Sequence, residues 1–280
     1  MAEITGTDGA WTFNGEILRI VPGSDSKVHE IRRALGDRAI PLEAIAGASF
    51  EAGRKGGHLR LRLRKGADPV YDASAGGLAA PADPYRLTVP KDRVGAAEYF
   101  ADELRDLLQV YQVPAGPCES WLLPAPDVPV SATAGDATVS FDGERIRLEW
   151  TWLAASGKEA AGNQEFRLAD VVGVEWKPLS GVGYGSLRFR LKDEGPPKRP
   201  DKDLHCVSWG VQRFGGTTVL VAAAVLPMLS RPSAELPAAP SEADQDALLR
   251  RLAELGELHK AGVLTEEEFS AAKQALLKRL

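Results

Sequence analysis

The chain has 280 residues, 44% of them apolar and 26% charged, with a formal net charge of -5. That is the composition of a globular chain with room for roughly two domains, and its net negative charge leaves nucleic acid or anionic membrane to be met only by a local basic patch. Two cysteines, no basic-then-apolar N-terminal stretch and no apolar run near the ~18 residues of a spanning helix predict a cytoplasmic protein with reduced thiols.

The first elements are strands. Ala10-Trp11-Thr12-Phe13 alternates as a half-buried strand. Asn14-Gly15 then reads as a tight turn with positive φ at both positions, and Glu16 to Val21 as the return strand. Ile40 to Gly47 leads into a strand carrying Phe50. Gly53-Arg54-Lys55-Gly56-Gly57 connects it to Leu59-Arg60-Leu61-Arg62-Leu63, whose period of two sets leucines on one face and arginines on the other. Val94 to Val110 spaces Ala97, Phe100, Ala101, Leu104, Leu107 and Leu108 as an amphipathic helix.

The same series then returns. Phe13-Asn14-Gly15-Glu16 recurs as Phe141-Asp142-Gly143-Glu144, 128 residues later, and Ile40 to Gly47 recurs as Phe166 to Gly173. Leu187-Arg188-Phe189-Arg190-Leu191 repeats the arginine-bearing strand. Thr217 to Leu229 repeats the terminal helix, now apolar on most faces. Such a helix has to be covered on more than one side, so it is predicted to pack on its own sheet and also on the other copy or another chain. The domain plan is a first copy over 1–113, a proline-rich linker over 114–130 with Trp121-Leu122-Leu123 pinned to a domain surface, a second copy over 131–230, a Pro/Ala linker over 231–241, and a helical hairpin over 242–280. The hairpin carries a leucine stripe of Leu252, Leu255, Leu258, Phe269, Leu276 and Leu277, with Thr265 and Glu268 forming a capping box.

Chemistry-bearing patterns are few. Arg54, Lys55, Arg60, Arg62 and Arg64 form the densest basic cluster, a candidate site for an anion or a partner. The alternative is the solvated face of an antiparallel strand, balanced across the sheet by carboxylates. No aromatic residues interleave with these arginines, which makes nucleic acid an unlikely partner. The glycine-rich segments at 53–57 and 181–185 lie between strands, where a phosphate loop would need a helix to follow, so they read as hairpin turns. His205-Cys206 places two potential ligands together, but neighbours on a strand point to opposite faces, so no metal is predicted. No catalytic signature appears, no cofactor is implied, and the lysine-glycine connection in the hairpin lacks the carboxylates that calcium requires.

Strands followed by one terminal helix, twice over, resemble tandem pleckstrin-homology-like (PH-like) half-open β-barrels, each capped by its C-terminal helix. The opening Gly6-Thr7-Asp8-Gly9-Ala10-Trp11-Thr12-Phe13, the Gly53 to Gly57 segment and Asp83-Pro84-Tyr85 resemble an uncharacterised actinobacterial family of tandem domains. Leu252 to Leu255, Leu258 to Phe269 and Leu276-Leu277 resemble the SHOCT (short C-terminal) domain. The resemblance implies a mainly β, α+β fold and a homo-oligomer formed through the hairpin, with an unknown protein as partner. The expectation is a non-enzymatic scaffold or interaction protein. A second reading is peripheral binding to anionic lipid at the inner face of the membrane, through the basic strand of copy 1.

Overall fold

The computed structural model describes residues 2–26, 28–180, 183–192, 194–210 and 215–229. The predicted hairpin over 242–280 and its leucine stripe lie outside the described residues. The fold is mostly β-sheet with a few helices, in four antiparallel sheets that do not close into a barrel. Residues 1–229 form one compact unit that holds both copies.

Copy 1 begins with β1 (Ala2–Thr5), β2 (Gly9–Phe13), β3 (Ile17–Pro22) and β4 (Arg38–Pro41), hydrogen-bonded in that order. A short helix, α1 (Glu30–Leu35), sits between β3 and β4. A 3-10 turn at Leu42–Ala44 then carries the chain into the second sheet: β5 (Ile45–Gly53), β6 (Gly56–Leu63) and β7 (Arg86–Pro90). Between β6 and β7 lies α2 (Pro69–Ser74), and α3 (Val94–Val110) ends the copy. Copy 2 repeats the plan. Its sheets are β8 (Val130–Ala134), β9 (Ala137–Phe141), β10 (Arg145–Trp150) and β11 (Gln164–Arg167), then β12 (Val171–Lys177), β13 (Gly185–Leu191) and β14 (Cys206–Trp209). The helices are α4 (Ser156–Ala161), between β10 and β11, and α5 (Thr218–Val225).

Alternation does in the structure what it promises in the sequence. Leu59, Leu61 and Leu63 are buried, while Arg60 and Arg62 face out. Trp11, Phe13, Leu18 and Ile20 of the first sheet meet Leu59, Leu61 and Leu87 of the second. Phe100, Ala101 and Leu104 of α3 close the same core. Each such side chain contributes roughly 1.5–3 kcal/mol by leaving water.

The repeated block at 40–47 and 166–173 is kept for the sheet-to-sheet corner. The Leu42 N–H donates to the Glu16 carbonyl, and the Leu168 N–H donates to the Glu144 carbonyl, in the same geometry. A bulge follows at Ile45/Gly47 and again at Val171/Gly173. A Cβ on Gly173 would lie 2.5 Å from the Arg190 guanidinium, the movable end of a flexible side chain, and one on Gly47 would lie 3.5 Å from that of Arg62, an ordinary contact. Each arginine lies across its glycine.

Two details differ from the sequence reading. In the Asn14-Gly15 and Asp142-Gly143 turns only the glycine takes positive φ, +100° and +105°. The Asn14 side chain instead accepts the Glu16 and Ile17 N–H groups, and Asp142 accepts those of Glu144 and Arg145. Asn and Asp are interchangeable here because both offer that carbonyl or carboxylate oxygen. The predicted helix from Thr217 to Leu229 is α-helical only to Val225. Pro227 has no N–H to continue the ladder, so the end tightens into a 3-10 turn although Leu226 keeps helical backbone.

The terminal helix of copy 2 is fully buried along its length. One side packs on β8, β9 and β12 of its own copy. Val219, Leu220 and Ala223 enter a separate cluster with Ile31 of α1, Val70 of α2 and Ala82, all from copy 1. The apolar helix is thus shared by both copies, as its sequence requires. The proline-rich connection is also held down. Cys118 N–H donates to the Lys65 carbonyl, Leu122 and Leu123 donate to that of Ala67, and Leu123 is buried in the core of copy 1.

Candidate functional site

The outer face of the β5–β6–β7 sheet carries the basic cluster. Strand register puts Ser49 opposite Arg60 on one side and Arg86 opposite it on the other; Gly47 stands opposite Arg62, and Glu51 opposite His58. Arg60 and Arg62 are exposed, and Arg86 is half-buried. Gly47, Ser49, Glu51, Arg60, Arg62 and Tyr71 line a shallow depression on this face. Tyr71 comes from α2, its ring set edge-on to Tyr85 at 5.6 Å. Burial, then Asp83, push its phenol above the ordinary range, while Arg60 and Arg62 pull the other way. It therefore remains a neutral donor.

Among the described residues, carboxylates form no ion pair with this ladder. Among the described residues none lies within 4.0 Å of the Arg60, Arg62 or Arg86 guanidinium. Asp83 is nearest in role. It is buried and accepts the Tyr85 N–H, and burial pushes its carboxyl up against the fields of Arg60, Arg32 and Arg86.

Copy 2 resolves the same arrangement differently. Arg188 stands where Arg60 does, and Asp203, which accepts the His205 N–H as Asp83 accepts that of Tyr85, forms an ion pair with it at 2.8 Å. The residue opposite Arg188 is the buried, uncharged Cys206 instead of a third arginine.

The other predicted residues fall elsewhere. Arg54 and Lys55 are the exposed tip of the β5–β6 hairpin. Arg64 is a brace: it donates to the carbonyls of Glu43, Gly116 and Pro117, tying the linker to the corner of copy 1. The oligomer-interface residues Leu252, Leu255, Leu258, Phe269, Leu276 and Leu277 lie outside the described residues.

His205 and Cys206 diverge, as adjacent strand residues do. The His205 imidazole meets Glu194 at 2.8 Å. Burial opposes ionisation of Glu194, yet hydrogen bonds from His205 and the Leu191 N–H hold it below the usual range. Glu194, Asp203 and His205 bring ligand-type atoms within 4.8 Å of one another. One of the three, Asp203, is already paired with the Arg188 guanidinium. Cys206 is fully buried, and desolvation pushes its thiol up to about 12. In a Cys118→Ser background it is expected to be silent to Ellman's reagent in the native protein at pH 8 and to react on unfolding; fast native-state labelling of that variant would contradict this burial.

Sequence reasoning missed two polar networks that occupy matching places. In copy 1, Asp8 in the β1–β2 turn accepts the Thr88 N–H and hydroxyl and pairs with Arg32 of α1 at 2.6 Å. In copy 2, Asp136 in the β8–β9 turn accepts the Ser208 N–H and hydroxyl and pairs with Lys158 of α4 at 2.7 Å. Lys158 is 1% exposed; its ammonium also donates to the Pro200 and Cys206 carbonyls and lies 4.8 Å from the Trp150 ring. Each network ties the first sheet to the last strand of the second. The signal was present, since Asp8 and Asp136 stand 128 apart, as do Phe13 and Phe141.

Among the described residues no helix is long and apolar enough to cross a membrane. A comparison with curated proteins finds none similar to this chain. Residues 250–277 match the short C-terminal domain, SHOCT. A domain of unknown function, DUF4429, matches twice, over residues 11–105 and 139–226. Its two copies cover more than half of the chain, and the protein belongs to the DUF4429 family.

Proposed function

We propose that this is a non-enzymatic interaction protein: two PH-like modules held as one body, several chains of which are gathered by their C-terminal hairpins onto a clustered target. The PH-like reading is supported by the shape of each copy, a four-stranded and a three-stranded antiparallel sheet closed by a terminal helix. The observation that carries the proposal is the buried seam of Val219, Leu220 and Ala223 against Ile31, Val70 and Ala82. It presents two recognition surfaces in fixed geometry, so the second contact with a target costs little further ordering. The SHOCT match at 250–277 supports a C-terminal domain there, which we read as the gathering element. Weak modules multiplied in this way gain avidity without any new contact.

Size-exclusion with light scattering tests it. The full chain is expected to run as an oligomer at micromolar concentration, and a chain ended at Ala239 as a monomer. Replacing Leu255 and Phe269 together by aspartate should also give the monomer mass. A full-length chain that is monomeric would overturn the proposal.

A further inference from the structure

We propose that the outer face of the β5–β6–β7 sheet in copy 1 is a phosphate-binding site, clamped by Arg60 and Arg62, reinforced by Arg86, and completed by the Tyr71 and Ser49 hydroxyls. This rests on reading the copies as recognition modules, and adds the class of ligand that copy 1 takes. Three observations carry it.

The first is convergence. Residues two apart on one strand point the same way, about 6.6 Å from each other, and directly opposed residues bring their Cβ atoms to about 4.5–5.5 Å. Arg60, Arg62 and Arg86 therefore stand as neighbours on one face, beside a depression that Tyr71 and Ser49 also line. Like charges directly opposed destabilise a sheet unless something neutralises them.

The second is the contrast with copy 2. The same fold there neutralises Arg188 with Asp203 and replaces the third arginine by buried Cys206. An architecture that merely needed arginine on this strand would show the same pairing twice. Copy 1 instead leaves the charge to a solute.

The third is chemistry. Guanidinium forks match the oxygens of a phosphate group, and neutral hydroxyl donors complete its shell. Glu51 lines the same depression, at the end where it faces His58. It repels an anion from that end and leaves the Gly47–Arg62 end as the seat. A phosphate could be free or carried by a lipid headgroup.

The test uses the full chain at low salt in two arms: calorimetric titration with inorganic pyrophosphate, and co-sedimentation with phosphatidylglycerol/phosphatidylcholine vesicles. The Arg60→Gln/Arg62→Gln variant is expected to weaken binding by at least about tenfold, in keeping with charge-assisted hydrogen bonds. Arg190→Gln in copy 2 should bind as wild type. Binding in the pyrophosphate arm assigns a soluble ligand, and binding in the vesicle arm alone assigns a lipid headgroup. Tyr71→Phe and Arg86→Gln are single changes that serve if the double variant misfolds, each expected to weaken binding severalfold. The proposal is overturned if wild-type protein binds in neither arm, or if the double variant, or in its place both single variants, binds as wild type does. Light-scattering mass measured on the same samples reports the oligomer separately, so loss of one reading is told apart from loss of the other.

Discussion

Replacement of Asp136 by alanine is expected to lower the unfolding free energy by about 3–5 kcal/mol, the range for removing one partner of a buried ion pair. Asp136 accepts three hydrogen bonds at 2.7 Å, from the Lys158 ammonium and from the N–H and hydroxyl of Ser208. Without it, the ammonium stays buried with only the Pro200 and Cys206 carbonyls as hydrogen-bond acceptors and the Trp150 ring beside it. The double variant Asp136→Leu/Lys158→Met removes both charges, and it should be markedly less damaging than the two single changes summed. Urea unfolding followed by circular dichroism gives all the values needed. A loss below about 1 kcal/mol for Asp136→Ala, the level of a surface pair, would contradict the burial described here.

Asp68→Ala is expected to cost a similar amount, about 3–5 kcal/mol, and to act on a second level of structure. The carboxylate is fully buried and pairs with Arg38 of β4 at 2.8 Å. It also accepts the Tyr85 hydroxyl at the start of β7 and caps α2 through the N–H groups of Val70 and Tyr71. Burial, and then the charge of Asp68, hold the Tyr85 phenol well above its ordinary range, so it remains a donor. Loss of the cap alone accounts for about 1 kcal/mol; the remainder comes from the stranded Arg38. Because α2 supplies Val70 to the seam with α5, the variant should also loosen the two copies from each other. Hydrogen exchange would show this as faster exchange in α5, far along the chain from the substitution. Unchanged protection of α5 together with a stability loss would confine Asp68 to a role inside copy 1.

Much of this fold is legible because it follows from periodicity. The Leu59 to Leu63 alternation and the spacing of Ala97, Phe100, Ala101, Leu104, Leu107 and Leu108 each imply one face; the leucines of the strand and the first four helix residues are buried, and Leu107 and Leu108 are half-buried. What escapes is what depends on partners distant in the chain. The helix α2 spans only six residues, too short for a helical period to show, although Asp68-Pro69 is a sound start signal of N-cap and first-turn proline. The Asp8 and Asp136 networks hide because their partners fall out of register. Thr88 and Ser208 are 120 apart, not 128, since copy 1 carries α2 in its longer β6–β7 connection, and the basic partner changes from Arg32 to Lys158. In the candidate site, strand alternation places Arg60 and Arg62 on one face. Their lack of carboxylate partners among the described residues depends on which strand lies beside β6, and only the pairing with β7 brings Arg86 opposite. Arg64 reads as a third member of the ladder, but the linker that folds back over it claims its guanidinium.

The shared helix has an evolutionary consequence. A gene duplication ordinarily leaves two copies that recombination can separate again, each still viable. Here copy 2 has given the flank of its terminal helix to copy 1, and copy 1 has built α2 to receive it. Excised alone, copy 2 would present Val219, Leu220 and Ala223 to water, and copy 1 would present Ile31 and Val70. Each half is therefore expected to lose solubility when expressed without the other, which would hold the two copies together in inheritance.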